Sequence, residues 1–274
     1  MKKNNASLKD LRLFSQRVRR DILYYSYLNH TGHISSCLSI TDILSVLYGS
    51  ILNIDPKSPT DRDRDRFILS KGHAALALYC TLSNKGFFPK SELNDFCHIG
   101  SKFGTHPEHG IPGIELSTGS LGHGLSVGAG MALSAKQDKK NFEIFVLISD
   151  AELNEGSIWE AIEFCPHHKL DNLTLIIDKN GLQAFGKTKD VLNLGDVSTK
   201  LKDFGWSTFE VDGHDHKQIF DTLKKVSPIK ESPKVIVAKT IGGSGVPFME
   251  GKLEWHYNNL NENQYKSAIK EIGL

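Results

Sequence analysis

Two short apolar runs, each ending at a residue that offers a hard oxygen, constrain this chain more than any other feature. The first, Ile144–Ile148, stops at Ser149-Asp150-Ala151, and the second, Leu173–Ile177, stops at Asp178-Lys179-Asn180-Gly181. Apolar runs of this length bounded by turn residues read as strands buried on both faces. Between them Ile158, Ile162 and Cys165 recur at helical spacing, so the segment reads as strand, helix, strand. In a parallel sheet Asp150 and Asn180 would lie beyond the carboxyl ends of their strands, where open α/β sheets bind ligands. A carboxylate and an amide oxygen placed there suit Mg²⁺, whose coordination is commonly completed by phosphate oxygens.

The rest of the chain extends this pattern. Phe67–Leu69, Ser207–Val211 and Lys234–Lys239 read as further strands. Helices are expected over about 7–29, 39–52 (capped by Ser39 or Thr41), 74–85, 91–98, 121–135 and 216–226. Pro166 should end or kink the helix after Asp150 near Phe164–Cys165, because proline removes a donor and crowds the preceding turn. Trp159 reads as core packing. Asp55–Arg66, whose run Asp61–Arg66 alternates acid and base and is self-neutral, reads as a solvated loop, and Ala184–Thr199 reads as a loop. Asp212-Gly213-His214-Asp215 reads as turn chemistry before a helix. Strands alternating with helices predict an α/β fold: a single three-layer domain over 1–274, its mostly parallel sheet covered by helices on both faces, with a carboxyl-terminal extension at about 252–274.

A net charge of +1 gives no electrostatic case for nucleic acid or a membrane surface as partner. The four cysteines lack paired spacing and read as buried thiols of a reducing compartment. Met1–Asn5 is not followed by an apolar signal core, and no run reaches membrane-spanning length, so cytoplasm is the expected location.

The stretch from Glu143 to Gln183 resembles the thiamine-diphosphate signature, in the form found in transketolases. The resemblance rests on Asp150…Asn180 and on the segments Glu-Leu-x-Glu-Gly, Trp-Glu-Ala, His-His-Lys-Leu-Asp-Asn-Leu and Asp-x-Asn-x-x-Gln. It implies a metal set of Asp150, Asn180 and the Leu182 carbonyl, binding Mg²⁺, with Ca²⁺ or Mn²⁺ as possible substitutes. Ser149 and Ala151 replace the two glycines of the signature, and Ala151 puts a methyl where backbone normally approaches the diphosphate. The motifs Gly32-His33, Ser70-Lys71-Gly72-His73, Thr105-His106-Pro107-Glu108 and Trp255-His256 are similar to those that bring transketolase imidazoles to the cofactor. By that resemblance His73 and His256 meet the diphosphate, with His256 also near substrate, and His33 and His106 contact substrate hydroxyls and carbonyl. Imidazole suits such work because it can donate or accept a proton near neutrality.

Gly119-Ser120-Leu121-Gly122 resembles the turn beside the thiazolium and aminopyrimidine, and Glu155 resembles a glutamate at the subunit interface that links paired active sites. The bland reading of Glu155 is an acid favoured at a helix start. The loop Thr240–Gly251 departs from the T-x-K-G-x-G pattern, with Gly243 at the lysine position.

The resemblance covers roughly residues 10–270 and is to the diphosphate-binding half of transketolase, as it occurs in split enzymes. It implies thiamine diphosphate and Mg²⁺ as cofactors, and transfer of a two-carbon ketol unit from a ketose, expected to be phosphorylated, to an aldose. It also implies a separately encoded partner carrying the pyrimidine-binding domain in a two-plus-two assembly. The rival readings are another thiamine-diphosphate reaction, such as 1-deoxyxylulose-5-phosphate synthesis or 2-oxo acid decarboxylation, and a non-catalytic regulatory subunit that has kept the fold.

Overall fold

The computed structural model describes residues 6–273; Met1–Asn5 and Leu274, and the readings made on them, lie outside the described residues. Five strands, β1 (Arg66–Leu69), β2 (Ile144–Ser149), β3 (Leu173–Lys179), β6 (Ser207–Asp212) and β7 (Lys234–Lys239), form one sheet in the order β1-β2-β3-β7-β6. Every neighbouring pair is parallel. A second, two-stranded hairpin joins β4 (Leu182–Gln183) to β5 (Gly186–Lys187).

Side-chain alternation along the strands splits the core in two. Phe67, Leu69, Phe145, Leu147, Ile176, Ile236 and Ala238 face one cluster, with α1 (Leu8–Leu28), α2 (Ile34–Ser39), α3 (Thr41–Val46), α4 (Ala75–Lys85), α9 (His216–Val226) and α10 (Glu262–Ile272). Ile68, Ile144, Val146, Ile148, Leu175, Ile177, Val235 and Val237 face the other, with α5 (Gly124–Gln137), α6 (Gly156–His167) and α8 (Val197–Asp203). Helices thus cover both faces of a parallel sheet, as expected, because strands buried on both sides have no polar face to offer water. One short helix, α7 (Thr188–Val191), follows the hairpin.

Several local readings are corrected. The helix expected from residue 39 begins at Ile34, breaks at Ile40 and ends in a π-turn over Leu47–Ile51. Neither expected cap acts as one: Ser39 Oγ donates to the Ser36 carbonyl and to Asp178, and Thr41 Oγ1 to the Cys37 carbonyl. α6 runs through Pro166 to His167. The Ile162 carbonyl, whose usual donor proline removes, instead accepts the Trp206 indole N–H at 2.8 Å. Residues 91–98 hold only a 3₁₀ turn, Lys90–Asp95. The charge run is partly internal: Arg64 forms a bidentate pair with Glu115, and the Asp65 carboxylate accepts from the Asn53 and Glu143 amides. The stretch 184–199 carries β5, α7 and the start of α8. Trp159 is half-buried against the α6 side of the core and donates its indole N–H to the Leu153 carbonyl.

Asp212–Asp215 is more than a turn. Asp215 caps α9. His214 Nε2 accepts from the Ile241 amide at 2.9 Å, so its proton sits on Nδ1, 2.9 Å from the buried Asp42 carboxylate. Burial alone would raise Asp42, but the bidentate Arg19 guanidinium, with His214 and His216, holds it well below the carboxylate range. This clasp anchors Thr240–Gly251, where Val246 and Met249 are fully buried.

Candidate active site

The site is built at the carboxyl ends of β1, β2, β3 and β7. In β2, Ser149 pairs with Asp178 of β3, which places Asp150 at the edge where the strands stop. Asp150 begins a 3₁₀ turn, Asp150–Asn154, capped by Ser149 in a reciprocal exchange with Glu152. Neither Ser149 nor Ala151 has a positive φ, so glycine is not required at either position.

Asp150 is buried. Its Oδ2 accepts from the Gly181 amide at 2.8 Å and the Thr188 hydroxyl at 3.1 Å, whereas Oδ1 is buried without a partner. Burial, and then the neighbouring Asp178 carboxylate, push its pKa up to about 6. An orphaned carboxylate oxygen in such a place is what a bound cation would satisfy. Asn180 is half-buried; its Nδ2 donates to Asp178 at 3.1 Å, and its Oδ1 accepts from the Leu182 amide at 2.9 Å. Among the described residues no group of three His, Cys, Asp or Glu side chains is placed to hold an ion. A cation here would therefore draw on one carboxylate, the Asn180 amide and backbone carbonyls such as that of Leu182, a donor set that suits a hard ion. Asp150 and Asn180 also line a cavity of about 440 Å³ that carries Lys179, Lys187, Lys189 and Lys239; His33, His73 and His256 do not line it.

Three of the four singled-out histidines meet. The ring centroids of His33 and His256 are 5.1 Å apart, those of His73 and His256 5.3 Å, and those of His33 and His73 5.5 Å. Close backbone approach brings them together. The His33 amide donates to the His256 carbonyl at 3.0 Å, and a Cβ on Gly32 would lie 2.5 Å from the Tyr257 carbonyl oxygen. His33 itself has φ 62°, a left-handed conformation uncommon for a residue with a side chain. A Cβ on Gly72 would lie 2.8 Å from the Thr118 carbonyl oxygen, so only glycine lets the His73 turn sit against the loop carrying Gly119. His106 is half-buried and packs against Gly119, whose added Cβ would be 3.4 Å from the His106 ring.

All three clustered imidazoles are held neutral. Burial, then His106 and Lys71, lowers His33; burial, then Lys71 and His256, takes His73 well below its ordinary value; burial, then His33 and Lys71, brings His256 down to about 4. The same Lys71 charge acts on Asp150, so the carboxylate and the imidazoles share one electrostatic neighbourhood.

The glycine turn is pinned from below. Fully buried Glu152 accepts from the Gly122 amide at 3.0 Å and the Ser70 hydroxyl at 2.5 Å. Ser120 is exposed and Leu121 half-buried. Glu155 is exposed at the start of α6, outside the imidazole cluster; a Cβ on Gly122 would lie 2.7 Å from its Cβ. Sequence reading missed Glu152 and the buried pair Lys71–Asp178, although both members of the pair stand in motifs it used, two residues before His73 and two before Asn180.

A carboxylate and an amide at the ends of parallel strands, with three neutral imidazoles gathered from other turns, make an α/β domain of a kind suited to a cation. The family model described as "Transketolase, thiamine diphosphate binding domain" matches residues 25–274, and the chain belongs to that family. It is 39% identical over 97% of its length to a subunit of the apulose-4-phosphate transketolase of Phocaeicola vulgatus, covering 94% of that relative. It is 37% identical to the 6-deoxy-6-sulfo-D-fructose transketolase subunit SqwG of Clostridium sp., covering 88% of each. Among solved structures, transketolase from Campylobacter jejuni superposes with a TM-score of 0.89 at 30% identity; the match takes in 97% of this chain but only 43% of that one.

Proposed function

We propose that this chain is the diphosphate-binding subunit of a split transketolase, acting with a separately encoded partner in the cytoplasm and forming one domain from end to end. The observation that carries this is the meeting of three neutral imidazoles within reach of the Lys71 charge that also acts on Asp150, a buried carboxylate with an unpartnered oxygen. When bound, thiamine diphosphate supplies the carbon nucleophile that cleaves the bond next to a ketose carbonyl. The chain's own residues do the rest. Asp150, Asn180 and the Leu182 carbonyl hold Mg²⁺. His73 and His256 hydrogen-bond the diphosphate, Ala151 lies against it, and the Gly119-Ser120-Leu121 turn flanks the flat rings. His33 and His106 bond substrate hydroxyls and carbonyl. A neutral imidazole can donate there without adding charge and can take up a proton.

We assign Glu155, exposed beside the glycine turn, to the interface with the partner. The word "subunit" in both relatives' names speaks for such a partner, and a two-plus-two assembly is the arrangement we propose. Those names both carry a sugar with an anionic group, a phosphate or a sulfo group; we assign this chain the same class of ketose donor. Calorimetric titration of the chain with thiamine diphosphate and Mg²⁺ tests the site. Wild type should show metal-dependent binding, and Asp150→Ala should lose it while keeping the native circular dichroism. Undiminished affinity in that variant would remove the cation assignment.

A further inference from the structure

Asp178 is fully buried, and none of the roles above uses it. It extends the alternation of β3 toward α2, two residues before Asn180. Its Oδ2 accepts from Lys71 Nζ at 2.5 Å, Ser39 Oγ at 2.8 Å and Asn180 Nδ2 at 3.1 Å, and its Oδ1 accepts from the Thr240 hydroxyl. One carboxylate thus gathers donors from α2, the turn after β1, the end of β3 and the end of β7. Lys71, with no exposed side-chain surface, directs its remaining donors to the Ser36 carbonyl at 3.2 Å and Ser39 Oγ at 3.4 Å. Its protons are all directed inward, so it has none left over for a ligand.

The consequence concerns Asn180. An amide binds a hard cation through oxygen and repels it through its NH₂ end, and nothing in the amide's shape distinguishes the two. A carboxylate only accepts, so Asp178 can only take the NH₂ end. We propose that Asp178 is a positioning residue: with the Leu182 amide, which donates to Asn180 Oδ1 at 2.9 Å, it fixes the Asn180 amide so that the second lone pair of its oxygen is available to the cation, while Lys71 holds Asp178 in place and out of the coordination shell. This rests on the reading of Asp150 and Asn180 as cation ligands. A merely structural Lys71–Asp178 pair would account for stability but would leave cation affinity untouched by a change, such as Thr240→Val, that loosens the hold on Asp178 without altering any charge.

The test is Mn²⁺ binding by the full chain with saturating thiamine diphosphate, read as free Mn²⁺ by electron paramagnetic resonance. Asn at 178 can donate as well as accept, so it no longer selects the NH₂ end and leaves the Leu182 amide alone to set the direction of the Asn180 amide. Asp178→Asn should weaken Mn²⁺ binding roughly 10- to 100-fold, the usual effect of losing a group that orients a metal ligand. The exchanged variant Asp178→Asn/Asn180→Asp should recover most of that loss, because a carboxylate at 180 has no wrong end. Should Asp178→Asn fail to fold, Thr240→Val, which removes one anchor and keeps the ion pair, should still weaken binding a few-fold. Wild-type affinity in Asp178→Asn or, failing that, in Thr240→Val would overturn the inference, as would an exchanged variant as weak as the single one. Asp150→Ala in the same titration separates the two claims: if it binds Mn²⁺ normally, the cation site itself is wrong. If it does not, and Asp178→Asn does, only the positioning role falls.

Discussion

Asp150 costs the unliganded chain stability at neutral pH. Its carboxyl is raised to about 6 by burial and by Asp178. For an acid whose pKa is raised on folding, the stabilising contribution is complete below the unfolded value, near 4, and is lost as pH climbs through the folded value. A rise of about two units corresponds to roughly 2–3 kcal/mol lost by pH 8. Asp150→Asn removes that charge. Without cation it should melt higher than wild type at pH 8 and show little difference at pH 4; equal melting at both would mean the buried charge carries no penalty. By the same reasoning a proton competes with the cation, so metal binding should weaken as pH falls through about 6. The imidazoles run the other way. A histidine lowered on folding contributes stability above its ordinary value near 6.5, and that stability is lost as pH falls toward the folded value. The His256 ring should accordingly titrate near 4 in an NMR experiment on the folded chain. A midpoint near 6.5 would contradict its burial among His33, His73 and Lys71.

At the scale of elements, four of the five sheet strands were legible because apolar runs buried on both faces leave a plain signal, and the edge strand β6, mostly unburied, was legible from its β-branched and aromatic residues before a turn. The chain from Ile34 to Ile51 was not. Nearly every residue there is buried, so no apolar face marks where α2 stops and α3 begins. Pro166 misled for a different reason. The helix survives it because the carbonyl it strands is served from a distant residue, Trp206, which no local pattern announces. Trp206→Phe keeps an aromatic ring and removes that donor. It should cost about 1–3 kcal/mol in a denaturant melt, the penalty for a buried carbonyl left unpaired; no loss would mean that water or another donor reaches Ile162. The candidate site divides in the same way. Asp150, Asn180 and the histidines stand in recognisable motifs, whereas the groups that hold them act across the chain. Lys71 meets Asp178 over 107 residues, and Ser70 meets Glu152 over 82. Charged residues beside strand ends signal such pairs only once the sheet order is known.

For the whole molecule, the decisive comparison is of lengths. The chain spans 94% of the apulose-4-phosphate transketolase subunit but 43% of the Campylobacter jejuni transketolase chain. It holds a buried carboxylate with an unpartnered oxygen and an imidazole cluster, while that longer transketolase continues for more than half its length in parts this chain does not match. Exposed apolar side chains lie next to the site: Phe185 at the tip of the β4–β5 hairpin, and Tyr257, which follows His256 and donates its hydroxyl to the Ala184 carbonyl. On the proposed function, such a chain is half of an active site that a second chain completes. The most direct test is a ketol-transfer assay with thiamine diphosphate, Mg²⁺ and anionic ketose donors, run on the rigorously purified chain and again with a separately encoded transketolase-like chain that carries the pyrimidine-binding domain. The expected result is no turnover alone, turnover with the partner, and loss of that turnover when the chain carries Asp150→Ala. Sustained transfer by the chain alone, or full activity of the pair with Asp150→Ala, would contradict the account.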